Sequence, residues 1–236
     1  MRPLKLRMES GFPLLLGHRG ARSTRSVPEN TFASFDLALE HGCDGFEFDV
    51  RLTADQQAVI CHDPRHRRVS IARAESLQLA DLPQLDSVLR RYGQRAFLDI
   101  ELKVKGLESI VLAALRDHRP ERGYVVSSFL PEVILELKSR SAEVPTGIIC
   151  DKPRQLKAWR TLPIDFLILE KSLFEPGLVG EIHGRGGKLL VWTVNDTKSM
   201  CSLSQRGVDG IISDDTRDLV RTLRAARGTR AGSGPE

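Results

Sequence analysis

The chain has 236 residues, 41% of them hydrophobic and 28% charged, with a formal net charge of +4 and an isoelectric point near 9.0. This composition excludes a fibrous or disordered polypeptide, and a chain of this length buries roughly 70–75% of its unfolded surface, enough to fold without disulfide or metal staples. No apolar run approaches 18 residues, so no transmembrane segment is expected, and the mild basicity fits phosphate substrates, anionic lipid surfaces and nucleic acid alike.

Residues 1–12 read as a loose N-terminal segment, with Met8 a possible alternative start. Aliphatic, strand-like runs then recur at Pro13–Gly17, Gly45–Val50, Ala58–Cys61, Ala96–Ile100, Gly123–Val126, Thr146–Ile149, Asp165–Leu169, Lys188–Val194 and Gly210–Ile212. Helical stretches alternate with them: Asn30–His41, Gln84–Tyr92, Leu107–His118, Pro131–Arg140, Pro153–Arg160, Pro176–Gly184, Asp196–Gln205 and Thr216–Arg227. Pro131, Pro153 and Pro176 suit first-turn positions, Gly42 suits a helix stop, and Asp196 with Asp214 or Asp215 suit N-caps. Repeated strand–helix units imply a parallel sheet. Eight helices with eight or nine strands favour a closed TIM-like (β/α)8 barrel over an open sheet, and no G-x-G-x-x-G turn follows the first strand.

The ninth run has its own explanation. Seven residues separate Val50 from Ala58, too few for a parallel crossover, so these two strands should be antiparallel. A turn near Thr53-Ala54-Asp55-Gln56 pairs residues whose numbers sum to about 110. The expected fold is therefore a barrel with a β-hairpin extension after its second strand, delivering His62 opposite Phe48 or Asp49. The barrel spans 13–224 as a single domain. Residues 225–236, rich in Gly, Ala and Arg, read as a flexible basic tail.

Polar residues collect at strand ends, where a barrel places its active site. His18 and Arg19 end the first run; a histidine can move a proton near neutral pH, and an arginine fork can hold an anionic oxygen. Glu47 and Asp49 share one face of the second run, opposite Phe46, Phe48 and Val50. Two inward carboxylates repel and call for a cation or a shared proton, and an all-oxygen ligand set favours Mg²⁺ or Ca²⁺ over Zn²⁺. His62-Asp63 ends the return strand, with His66 beyond it expected to be solvent-exposed. Glu101 adds a third carboxylate from the next barrel strand, with Lys103 on its face as a phosphate partner; Asp99 alternates onto that face too. Trp192 could pack over an aliphatic or glycerol group. The four cysteines form no CxxC pair and suit free thiols in a reducing compartment, and the location expected is cytoplasmic.

In order along the chain, His18-Arg19-Gly20, Pro28-Glu29-Asn30-Thr31, Glu47-x-Asp49-Val50, Thr53-x-Asp55, Val59-x-x-His62-Asp63, Glu101-Leu102-Lys103, Trp192-Thr193-Val194-Asn195 and Asp209-Gly210-Ile211-Ile212-Ser213-Asp214 resemble the glycerophosphodiester phosphodiesterase family. The resemblance covers roughly residues 13–220. It implies a TIM-barrel hydrolase that cleaves glycerophosphodiesters to glycerol 3-phosphate and an alcohol. Glu47, Asp49 and Glu101 would bind one divalent cation, His18 and His62 would form the acid–base pair, and Arg19 and Lys103 would contact phosphate, with Glu29 in support. The attacking oxygen could belong to the glycerol 2-hydroxyl or to water. The family often carries an inserted subdomain after His-Asp; only 37 residues separate Asp63 from Glu101 here, so the insertion should be reduced or absent. The Arg65-His66-Arg67-Arg68-Val69-Ser70 run also replaces the family's Arg-Thr. An open mouth would suit lysophospholipase D or sphingomyelinase D-like action on single-chain lipids, the rival activity. The rival of another class is an inactive barrel that binds a phosphorylated ligand. Nucleic acid is not an expected partner, because the Arg-rich stretches lack interleaved aromatics.

Overall fold

The structure, a computed structural model, describes residues 12–23 and 26–231. The expected loose segment at 1–11 and residues 232–236 of the expected tail lie outside the described residues. Eight parallel strands close on themselves: β1 (Leu14–His18), β2 (Gly45–Leu52), β6 (Phe97–Leu102), β7 (Tyr124–Ser128), β8 (Thr146–Cys150), β9 (Phe166–Glu170), β10 (Lys188–Trp192) and β11 (Gly210–Ser213), with β11 pairing β1 to complete the barrel. Helices α1 (Phe32–Glu40), α2 (Leu85–Tyr92), α3 (Glu108–Asp117), α4 (Pro131–Arg140), α5 (Pro153–Ala158), α6 (Gly177–Gly184), α7 (Thr197–Gln205) and α8 (Thr216–Ala231) follow the strands.

Alternation along the strands builds two cores. Inward residues Leu16, Phe97, Val125, Ile149, Phe166, Ile168, Leu190 and Ile212 fill the barrel. Outward residues pack the helix layer. On β2 the outward Phe46 stacks on Phe35 of α1 at 4.3 Å between ring centroids and meets Tyr92 of α2 edge-on at 5.0 Å. That aromatic cluster fixes which face of β2 is outside, and so turns Glu47 and Asp49 inward. Gly45 lets β2 approach β6 closely: a Cβ there would lie 1.9 Å from the Phe97 carbonyl oxygen.

Past the barrel rim β2 turns back as β3 (Ala58–Ile60), antiparallel, with Val50 opposite Ile60, Arg51 opposite Val59 and Leu52 opposite Ala58. These pairs sum to 110, the register expected of the turn. The segment after His62 folds as a second small hairpin, β4 (Arg65–His66) with β5 (Val69–Ser70), followed by 3-10 turns at Ile71–Arg73 and Ser76–Leu79. Arg67 and Arg68 turn it with φ of 46° and 71°.

Several sequence expectations are corrected. His66 is half-buried, its Nε2 2.8 Å from Asp81 Oδ2, because the small hairpin folds it back over the turn that carries Asp81. Pro176 is the N-cap of α6 rather than a first-turn residue. Helix α1 begins at Phe32 because Thr31 caps it, accepting the Ser34 N–H while Ser34 Oγ accepts the Thr31 N–H. The last helix runs through Ala231, so residues 225–231, expected in the loose tail, are helical. Asp196 caps α7 by accepting the Ser199 N–H, and Asp215, not Asp214, receives the Asp218 N–H in the first turn of α8. No helix among the described residues is long and apolar enough to cross a membrane.

Candidate active site

The chain turns sharply at the end of β1. Arg19 and Gly20 have φ of 53° and 81°, and a Cβ on Gly20 would lie 2.5 Å from Ser34 Oγ, so glycine is required there. The turn aims the Arg19 N–H at Glu47 Oε2, 2.9 Å away. His18 Nδ1 lies 2.7 Å from Asp214 Oδ1, and Asp214 Oδ2 accepts Asn195 Nδ2–H at 2.8 Å. Burial opposes the Asp214 charge, but the hydrogen bonds from His18 and Asn195 outweigh it and hold this carboxyl at about 2. An ionised carboxylate only accepts, so His18 Nδ1 donates, and in neutral His18 the lone pair is on Nε2, 3.9 Å from Glu47 Oε2.

Strand register assembles the acidic group. Glu47 pairs Asp99, and Asp49 pairs Glu101, across β2 and β6. One oxygen each from Glu47, Asp49 and Glu101 lies within 4.8 Å of the others, and all three residues are buried. Lys103 Nζ stands 2.6 Å from Glu101 Oε1 and 3.3 Å from Asp49 Oδ1; Arg19 Nε is 3.2 Å from Asp49 Oδ2, which also accepts Asn30 Nδ2–H at 2.7 Å. These cations and Asn30 keep the Asp49 carboxyl below its ordinary value despite burial. Glu47 is pushed well up, by burial and then by the Asp49, Glu101 and Asp99 charges. Burial likewise raises Asp99 and Glu101 to about 7, Glu101 with added repulsion from Asp49.

His62 arrives from the return strand. Its carbonyl accepts both Nε and Nη2 of Arg51 at 2.8 and 2.5 Å, which anchors the turn, and its Nδ1 lies 2.8 Å from Asp63 Oδ1. Burial, with the Arg19 and Lys103 charges, lowers the imidazole pKa against the pull of Asp49 and Asp63. His18, Arg19, Glu47, His62, Glu101 and Lys103 all line one cavity of about 100 Å³. Its opposite wall is apolar: Phe129, Ile149, Ile168, Trp192 and Ile212. Trp192 meets Phe129 edge-on at 5.8 Å. Glu29, also expected at the site, stands at its edge, joining Arg19 Nη1 at 2.7 Å to Arg22 Nε at 2.5 Å.

Residues 18–111 and 89–218 match the model of the glycerophosphoryl diester phosphodiesterase family. The chain belongs to that family. It is 31% identical to YhdW of Bacillus subtilis (strain 168) over 231 residues, covering 85% of this chain and 93% of that one. It is 29% identical to the glycerophosphodiester phosphodiesterase of Caldanaerobacter subterraneus subsp. tengcongensis, covering 89% and 98%. Among solved structures, an Oleispira antarctica phosphodiesterase in complex with the product sn-glycerol-3-phosphate superposes with a TM-score of 0.79 at 25% identity, over 90% of this chain and 97% of that one. The glycerophosphodiester phosphodiesterase of Thermotoga maritima superposes with a TM-score of 0.76, also at 25% identity, over 89% and 97%.

The carboxylates of this family member fit a hard cation. Glu47 Oε1 and Asp99 Oδ2 are buried with neither a hydrogen bond nor an ion pair among the described residues, and the three-carboxylate cluster offers oxygen ligands only. Sequence reasoning gave no part in the site to Asn195, Asn30 or Phe129, took Asp214 only as a candidate N-cap, and left Asp99 outside the site. Asn30, Asn195 and Asp214 stood inside the matched motifs, and that was their one signal. The His18–Asp214 contact spans 196 residues, which no local pattern encodes.

Proposed function

We propose that this chain hydrolyses glycerophosphodiesters to glycerol 3-phosphate and an alcohol, with one divalent cation, Mg²⁺ or Ca²⁺, and a histidine pair. The carrying observation is a single small cavity with both imidazoles, two carboxylates of the Glu47–Asp49–Glu101 cluster and two cationic side chains on one side and an apolar wall on the other. The likeness to the Oleispira phosphodiesterase, whose structure holds sn-glycerol-3-phosphate, supports the same substrate class.

Glu47, Asp49 and Glu101 would hold the cation, which when bound neutralises phosphate charge as a Lewis acid. Arg19 and Lys103 flank the same carboxylates and can hold the remaining phosphoryl oxygens, with Arg19 Nη1 tied to Glu29. His18, held at Nδ1 by Asp214, presents Nε2 to the substrate; His62, held at Nδ1 by Asp63, does the same from the return strand. One imidazole takes the proton of the attacking oxygen, and the other gives a proton to the leaving alkoxide. Each transfer typically contributes about 10²–10⁴-fold. The burial-lowered pKa of His62 favours its neutral form, suited to the base. Trp192 and Phe129 cover the glycerol carbons and exclude water.

The test is a panel of glycerophosphodiesters assayed after chelation and again with Mg²⁺ or Ca²⁺ restored. Turnover that disappears on chelation and returns with either ion is expected. Turnover indifferent to chelation would remove the cation from the reaction, and no turnover of any diester would leave a phosphate-binding barrel.

A further inference from the structure

The charged pocket is backed differently on its two sides. On the apolar side Phe129 and Ile149 also line a second cavity, of about 700 Å³, over the end of β8. On the charged side stand Asp214, Arg22 and Glu29, which line neither cavity. They form a ladder in which donors and acceptors alternate. Asp214 Oδ1 accepts His18 Nδ1–H at 2.7 Å and Arg22 Nη1–H at 3.3 Å. Glu29 Oε2 accepts Arg22 Nε–H at 2.5 Å, and Glu29 Oε1 accepts Arg19 Nη1–H at 2.7 Å. Arg19 Nε then stands 3.2 Å from Asp49 Oδ2.

Arg22 is the rung that joins the two halves of this ladder. One half ends in His18 and the other in Arg19. The Nε–H and Nη1–H of Arg22 leave different edges of one rigid plane, so a single guanidinium sets the separation of two carboxylates. An ammonium, whose donors radiate from one atom, cannot do this. The loop that carries Arg22 is pinned to the same residue, because the Asp214 carbonyl accepts the Ser23 N–H at 3.0 Å. The Arg22 side chain is 40% exposed, so its ion pairs contribute little to folding stability. What it supplies is spacing. Its loss leaves Asp214 with His18 and Asn195 as side-chain donors, and removes the tie to Glu29.

We propose that Arg22 is a positioning residue for the phosphodiesterase reaction: it fixes Asp214 against Glu29, so that His18 Nε2 and the Arg19 guanidinium reach the same phosphate together. The inference rests on the hydrolytic reading of the charged pocket. Arg22 touches no reacting atom and acts through the two carboxylates. Rate is steep in such geometry, and a misplacement of about 1 Å can cost as much as about 10²-fold without unfolding the protein.

The experiment is a double-mutant cycle, read on the glycerophosphodiester that the wild-type protein turns over fastest. Arg22→Ala should lower kcat about tenfold and leave KM within about twofold, because Arg22 acts through His18 and does not line the pocket. On an Asp214→Asn background the same change should cost less than about threefold, because the carboxylate through which it acts is gone. Arg22→Lys keeps the charge but not the two-edged plane, and should stay within about threefold of the alanine variant. Arg22→Gln takes the place of Arg22→Ala if the latter folds poorly by circular dichroism. A kcat within about twofold of wild type overturns the proposal. So does a loss carried in KM, full recovery with lysine, or an undiminished loss on the Asp214→Asn background. Each of these leaves the hydrolytic reading standing, since the wild-type protein turns over its substrate. A wild-type protein that turns over no diester sinks the hydrolytic reading and the positioning role together.

Discussion

The mouth of the barrel divides into two arcs of opposite character. The ends of β1, β2 and β6, with the return strand β3, supply His18, Arg19, Glu47, Asp49, His62, Asp99, Glu101 and Lys103. The ends of β8 to β11 supply Ile149, Ile168, Trp192 and Ile212. Both arcs come from the same strand–helix unit, so the fold does not impose the difference. The charged arc concentrates carboxylates on adjacent strands, where repulsion and burial together push protons onto them. The apolar arc lowers the local dielectric facing those charges and strengthens every interaction among them. A cation bound in the first arc would therefore interact more strongly with its carboxylates because the facing wall is apolar.

This contrast can be broken or sharpened by substitution. The largest effect is expected from the imidazoles: His18→Ala and His62→Ala should each lose about 10²–10⁴-fold in kcat with an unchanged circular dichroism spectrum. Near-normal turnover in either variant would end the acid–base assignment. Asp214→Asn should cost roughly 10–100-fold, as loss of a carboxylate that orients a functional histidine does. Its pH–rate profile should shift along the limb governed by His18, which a purely structural role would leave in place.

On the apolar arc, Trp192→Ala should raise KM by about tenfold, with a smaller change in kcat, because the wall contributes to binding rather than to proton transfer. Steady-state kinetics that show kcat falling as steeply as kcat/KM would place Trp192 among the groups acting on the transition state.

The smallest effect is thermal. Glu47, Asp99 and Glu101 have raised pKa values, Asp99 and Glu101 near 7, so the folded protein holds protons that the unfolded chain releases. A raised folded pKa gives stability that is fully present below the unfolded carboxylate value and is lost as pH rises through about 7. A divalent cation bound at these carboxylates would replace those protons. The shift of Tm on adding Mg²⁺ or Ca²⁺ should therefore grow by a few degrees between about pH 4.5 and 7.5. Scanning calorimetry with chelator and with ion measures it. A shift that shrinks with pH would mean the cation does not bind at these carboxylates.

Much of this was open to reading along the chain, because it depends on local periodicity. Alternating apolar runs and helical stretches gave the barrel, and the seven residues between Val50 and Ala58 forced the antiparallel return with its register. The same alternation turned Glu47, Asp49 and Glu101 to one side. Helix ends were less legible. Thr31 and Ser34 set the start of α1 through reciprocal bonds, and Pro176 stands one residue outside α6.

By itself the sequence determined the strand–helix order and the inward face of each strand, since these follow from spacings of two to four residues, while the candidate acid, base and cationic groups were expected from the family resemblance. Tertiary structure alone decided that Asp214 orients His18, that Asn30 and Arg19 hold Asp49 ionised while Glu47 Oε1 is left without a donor, and that Phe129 and Ile149 stand between two cavities. Those facts arise from closing the last strand against the first and seating each loop over the rim. They join residues up to 196 positions apart, and the energies that select them, desolvation and charge pairing in a dry cavity, do not exist until the barrel is shut.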